Sequence, residues 1–139
     1  MIYSSAIFFF IEVALHIEFD LISMLDFTDQ ARVVLYEGVQ PVKQLKFNAV
    51  GTDNMNWFQF DKLTENPWTD LGDQPRNLFT IETDHQRSFI INSLYHGCPG
   101  DVGWMVIAGA FCPWEQHFGQ EAILYSKLDG LANWNHFGK

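Results

Sequence analysis

RVVLYEGVQPVKQLKFNA, residues 32–49, decides the fold. Arg32 to Tyr36 is short and β-branched. Glu37, Gly38 and Pro41 supply a turn, and Val42 to Ala49 then places Leu45, Phe47 and Ala49 on one face and Gln44, Lys46 and Asn48 on the other. A two-residue period on either side of turn residues reads as a β-hairpin with one buried face. Working outward, Phe79 to Ile81, Ser88 to Leu94 and Ala122 to Tyr125 are further strand candidates, with Phe89 and Ile91 opposed to Ile90 and Asn92. Trp104 to Ile107, extended to Ala110, is continuously apolar, as befits a central strand covered on both faces. Gly51-Thr52-Asp53-Asn54 is turn chemistry before Trp57, Phe58 and Phe60. Asn66 to Pro75, with two prolines, a glycine and two aspartates, reads as a long surface connection. No stretch long enough for a globular helix carries a clean i, i+3, i+4 stripe. The expectation is an all-β protein, an antiparallel β-sandwich with a jelly-roll-like arrangement that stops short at its C-terminus.

The 139 residues suit one domain and divide into an apolar N-terminal segment, residues 1–25, and a β-rich domain, residues 26–139. Met1 to Ile11 is uncharged but too short to span a bilayer. With no Lys or Arg before Arg32, it also lacks the basic start of a secretory signal. His16, Glu18 and Asp20 alternate with Ile17, Phe19 and Leu21, so this region reads as a half-buried strand or a mis-assigned start.

Hydrophobic residues make up 47% of the chain and charged ones 18%, with 13 Phe and 5 Trp, ample apolar area for a core. The net charge of −9, from 17 acidic against 8 basic residues, leaves no basic patch for phosphates, so nucleic acid is not an expected partner. Anionic lipid surfaces are repelled for the same reason, and no membrane insertion is expected. Partners should be neutral, cationic or metal-bridged.

No GxSxG, HExxH or GxxxxGK[ST] motif is present. Gly97, Gly100 and Gly103 lead into a strand, whereas a phosphate loop opens a helix, so they read as a turn. His96 with Cys98 and Cys112 with His117 contain zinc's preferred ligand types without a recognised zinc spacing. The two cysteines therefore have three readings: a disulfide, buried thiols or, least of all, zinc. Asp53, Asn54, Asn56 and Asp61 offer hard oxygen ligands for calcium, but their spacing fails the EF-hand loop, so no metal or other cofactor is assigned. Asp84, His85 and Arg87 read as solvated loop charges rather than an acid/base site. Of the tryptophans, Trp68 and Trp114 each lie beside a proline in a loop and are the candidate exposed platforms, with core packing the rule for aromatics.

NWFQFDKL at 56–63, PWTDL at 67–71, RSFIINSLYHGCPGDVGWMVI at 87–107, CPWE at 112–115 and ILYSK at 123–127 together resemble a module of invertebrate proteins. Its members are secreted, repeated modules of molluscs and cnidarians, some beside EGF-type or fibrinogen-type domains and some among skeletal-matrix proteins. The likeness covers residues 31–134, and GCPGDVGW with the following Cys-x-Trp is its most specific part. It implies an extracellular setting and a Cys98–Cys112 pairing, and it implies no activity. Residues 1–25 fall outside it, and the closing strand it leads one to expect after Trp134 is absent. The pairing sets a condition: a seven-residue strand from Gly103 to Gly109 would span roughly 23 Å, so the flanks must fold back or the strand must be shorter.

These readings lead to a non-enzymatic, secreted or cell-surface interaction or adhesion module that binds protein or matrix. A lectin-like carbohydrate-binding domain is the alternative, with Trp68 or Trp114 stacking on a sugar and Asp53, Asn54 or Asn56 bonding its hydroxyls. A carboxylate-pair glycoside hydrolase ranks last.

Overall fold

The computed structural model describes residues 2–3, 12–21, 28–83, 85–94 and 97–136. Two antiparallel sheets pack face to face. The first runs in the order β1 (Ile2–Tyr3), β2 (Glu12–Leu21), β3 (Thr28–Glu37), β4 (Gln40–Asn48), β5 (Leu63–Glu65). The second runs β6 (Leu78–Glu82), β7 (Ser88–Leu94), β8 (Val102–Ile107), with β9 (Ile123–Tyr125) and β10 (Ala132–Asn133) sharing the far edge of β8. This is the expected all-β sandwich. Neighbouring strands follow one another along the chain except at β10, which passes β9 to pair with β8.

The diagnostic hairpin is β3–β4, with Glu37 opposite Gln40 and Gly38 at φ +60°. Its two-residue connection requires the left-handed backbone that glycine adopts freely. Pro41 lies in β4 itself, opposite Tyr36, where a register shift accommodates a residue that cannot donate to the ladder. The alternation holds, since Leu45, Phe47 and Ala49 are buried while Asn48 is exposed.

β2 pairs with β3 from Val13–Glu37 to Leu21–Thr28. Residues 12–21 are thus a strand of the first sheet, in keeping with the strand reading of the N-terminal segment. Met1 and residues 4–11 and 22–27 lie outside the described residues.

Between the sheets, Val33, Leu35, Leu45 and Phe47 meet Ile91, Met105, Ile107 and Ile123. Aromatic rings fill one end: Phe47, Trp57, Phe58, Phe79 and Phe89 stack in tilted and edge contacts, the closest being Phe58–Phe79 at 4.9 Å. Pairs of this kind contribute about 0.5–1.5 kcal/mol each beyond their burial. Phe89 reaches the cluster through a bulge, with φ at +46° where the β7–β8 register shifts.

β8 is central and buried as expected, but it begins at Val102 and ends at Ile107. Met105 and Ile107 face the inter-sheet core, and Val106 and Ala108 face a second cluster on the outer surface of the same sheet. Gly103 is needed here because a Cβ would meet Ile91 O at 2.5 Å and Asn92 Oδ1 at 2.1 Å. The second cluster is covered by a helix α1 (Pro113–Phe118), by Ala122 and Leu124 and by Trp134 at the start of a closing 3-10 turn. Neither α1 nor β5 nor β10 is foreseen from the sequence.

The 66–75 segment runs along the surface as expected, with Asn66, Thr69 and residues 72–75 exposed, but it is anchored by two side chains turned inward. Trp68 and Leu71 are fully buried, Trp68 Nε1 donates to Ser126 O at 3.0 Å, and Asp70 accepts from Trp104 Nε1 at 2.7 Å and from Leu131 N at 3.0 Å.

Candidate functional site

α1 is short, and its start explains the site. Pro113 occupies the first helical position, where a missing N–H costs nothing, and Glu115 sits two residues later with its carboxylate reaching back to the Cys112 amide at 2.8 Å. The same carboxylate accepts from Gly109 N at 2.7 Å and takes a two-pronged ion pair from Arg87, Nε to Oε1 at 2.7 Å and Nη2 to Oε2 at 2.8 Å. Arg87 Nη2 also lies 3.2 Å from Asp101 Oδ2, to which Trp114 Nε1 donates at 3.1 Å, and the guanidinium stacks 4.8 Å from the Trp114 ring centroid. All three charged side chains are at most 2% exposed.

Buried charges survive only when paired and hydrogen-bonded, and the two acids meet that condition unequally. Burial raises the Glu115 carboxyl, but Arg87 and the Cys112 and Gly109 amides together outweigh it and hold the group below the usual range. Burial also raises Asp101, and there Arg87 and Trp114 do not offset it, so the carboxyl stays above its ordinary value, with Glu115's charge adding to the rise.

Cys98 and Cys112 form a disulfide with a Cα separation of 5.4 Å. Both halves of the sequence condition are met: the strand is one residue shorter than drawn, and both flanks fold back, one through a 3-10 turn at Cys98–Gly100. With both sulfurs bonded to each other, the zinc and buried-thiol readings fall. His96 lies outside the described residues.

Above this lattice the turn between β6 and β7 meets the segment after β8. A Cβ on Gly109 would stand 2.3 Å from His85 O, so only glycine lets the two backbones meet. His85, Gln86, Ala110 and Phe111 line a shallow, open cavity of about 450 Å³. Phe111 is 63% exposed, with the His85 ring edge-on at 4.5 Å.

The residues singled out from the sequence do not converge. Trp68 and Trp114 are 1% and 4% exposed and cannot serve as open platforms, because each indole N–H is satisfied inside the protein and each ring is packed in a core. Asp53, Asn54 and Asn56 are exposed in the turn after β4, where Asp53 Oδ1 accepts from Met55 N and Asn56 N, and Asn56 Oδ1 from Asp53 N. No group of three or more His, Cys, Asp or Glu placed to hold a metal occurs among the described residues. Arg87, read as a solvated loop charge, is among the most buried side chains in the protein, and Asp84 lies outside the described residues. One local signal was available: Cys-Pro-Trp-Glu carries proline at a helix's first position and glutamate at its third.

No family model, no curated protein and no solved structure matches this chain. Among the described residues, no helix is long and apolar enough to cross a membrane.

Proposed function

We propose that this chain is a non-enzymatic extracellular binding module whose recognition surface is the rim formed by His85, Gln86, Ala110 and Phe111. Its partner is a protein or matrix component with a neutral or cationic contact surface. The observation that carries this reading is the exposed ring of Phe111, edge-on to His85, on a segment whose neighbouring residues are anchored. Two residues before it, the Gly109 amide is held by Glu115, and the next residue is the buried, disulfide-bonded Cys112. An exposed aromatic on a segment held in this way loses little backbone freedom when covered, which is what a binding anchor requires.

Two further observations support the reading. A disulfide persists in oxidising compartments, consistent with secretion or cell-surface display. The net charge of −9 favours neutral or basic partners. Asp101 and Glu115, the acids beneath the rim, serve as scaffold, since both are buried and engaged by Arg87.

The test is to probe the domain and its Phe111→Ser variant, matched for thermal stability, against arrays of secreted and matrix proteins and of glycans. The expected result is saturable protein binding that the variant weakens at least about thirtyfold, the loss of an anchor contributing about 2 kcal/mol or more. Binding confined to free oligosaccharides would favour the lectin reading, with Phe111 as the stacking ring. Protein binding indifferent to Phe111 would remove the rim from the account.

A further inference from the structure

We propose that the Cys98–Cys112 disulfide is a directional thiol-exchange site, in which an external thiolate attacks Sγ of Cys98 and Cys112 departs as a thiolate beside Arg87. The two sulfurs sit in unlike surroundings. Cys98 is half-buried in a 3-10 turn between the exposed Gly97 and Pro99, whereas Cys112 is 2% exposed. An incoming thiol therefore has access from the Cys98 side.

The buried sulfur is the one prepared to leave. Arg87 Nη2 points at Cys112 Sγ from 3.0 Å, and a cation at that distance favours thiolate over thiol. Asp101 Oδ2 is 3.7 Å from the same sulfur and is itself ion-paired with Arg87 Nη2 at 3.2 Å, so the guanidinium stands next to both groups. A lower leaving-thiol pKa speeds exchange. The step balances as a displacement: a bond forms between the attacking sulfur and Cys98 Sγ, the Cys98–Cys112 bond breaks, and its electron pair goes to Cys112 Sγ. A second thiol, or the neighbouring thiol of a dithiol reductant, then releases Cys98.

Cleavage does not require unfolding. Glu115 still holds the Gly109 and Cys112 amides and still pairs with Arg87 after the S–S bond is gone. What is lost is the covalent tether next to Phe111, so exchange acts directly on the segment that carries the exposed ring.

The experiment uses the intact chain and a small neutral monothiol, 2-mercaptoethanol, at pH 8. Early time points are quenched with N-ethylmaleimide, digested without reduction and mapped by mass spectrometry, with tryptophan fluorescence followed in parallel. The expected products carry mercaptoethanol on Cys98 and maleimide on Cys112, exceeding the reverse pattern by about tenfold or more, while fluorescence stays native. Equal or reversed labelling, or cleavage seen only as fluorescence reports unfolding, would overturn the proposal. The part of Arg87 is read separately from the thiolate absorbance of a Cys98→Ser variant. Its Cys112 should ionise below the ordinary thiol value of about 8.5, and ionisation at or above that value would remove Arg87 from the step. Should that variant lose its fold, the labelling pattern of the unaltered chain alone decides.

Discussion

The two faces of the second sheet are covered in opposite ways. The inner face meets another sheet, and Leu35, Leu45, Phe47, Met105 and Ile123 fill the space with apolar surface, each fully buried. The outer face meets irregular chain, a six-residue helix and a 3-10 turn, and there Arg87, Glu115, Asp101 and a disulfide lie beneath Trp114 and Trp134. Regular strands satisfy their own backbone groups, so the inner core needs only shape and apolar area. Chain without regular pairing leaves amides that something must accept, and the Glu115 carboxylate accepts two of them. The difference teaches that charge is buried where backbone regularity ends.

Val106→Asp should produce the largest effect. It places an unpaired carboxylate at a site with no exposure, on the face that already holds two. Soluble expression should be lost, and a well-folded variant would show that the outer face tolerates charge generally rather than through specific pairing.

Glu115→Gln comes next, because it leaves Arg87 buried without its main partner. Removing one side of such a pair costs about 3–5 kcal/mol, readable by urea denaturation. The pH dependence follows from the lowered carboxyl. A group held down in the folded state contributes stability above its unfolded value and loses it as pH falls through the folded one. The deficit of Glu115→Gln should therefore be full at neutral pH and shrink below about pH 4.3.

The double substitution Cys98→Ser with Cys112→Ser should cost about 3 kcal/mol on the loop-entropy account, measured the same way. A loss well under that would assign most of the clamping of this segment to the ions.

Asp101→Asn should matter least, changing stability by within about 1 kcal/mol. Its carboxyl is raised, so the ionised form is disfavoured by folding at neutral pH, and that disadvantage fades as pH falls toward the unfolded value. Asp101→Asn as damaging as Glu115→Gln would make the lattice a symmetric triad and erase the distinction drawn between the two acids.

What the sequence makes legible follows the same division. Ser88 to Leu94 is read with the bounds the structure gives, and the faces of Val42 to Ala49 are read correctly, because period-two burial is a local signal. β8 is read as buried but two residues late at its start and three late at its end, since continuous apolarity marks a covered strand without marking where it turns. Arg87 and Trp68 are misread because their partners, Glu115 and Ser126, lie 28 and 58 residues away, and no local pattern reports such contacts. Phe111 was not singled out, since one exposed aromatic acquires meaning only from the scaffold that carries it.

Hydrogen exchange at two amides tests the central claim most directly. Gly109 and Cys112 lie outside any strand or helix, and each donates to the buried Glu115 carboxylate. If that carboxylate anchors the Phe111 segment, both amides should be protected nearly as long as those of β8, and Glu115→Gln should abolish the protection selectively. Exchange of both amides within seconds in the unaltered protein, like that of an ordinary exposed loop, would contradict the account.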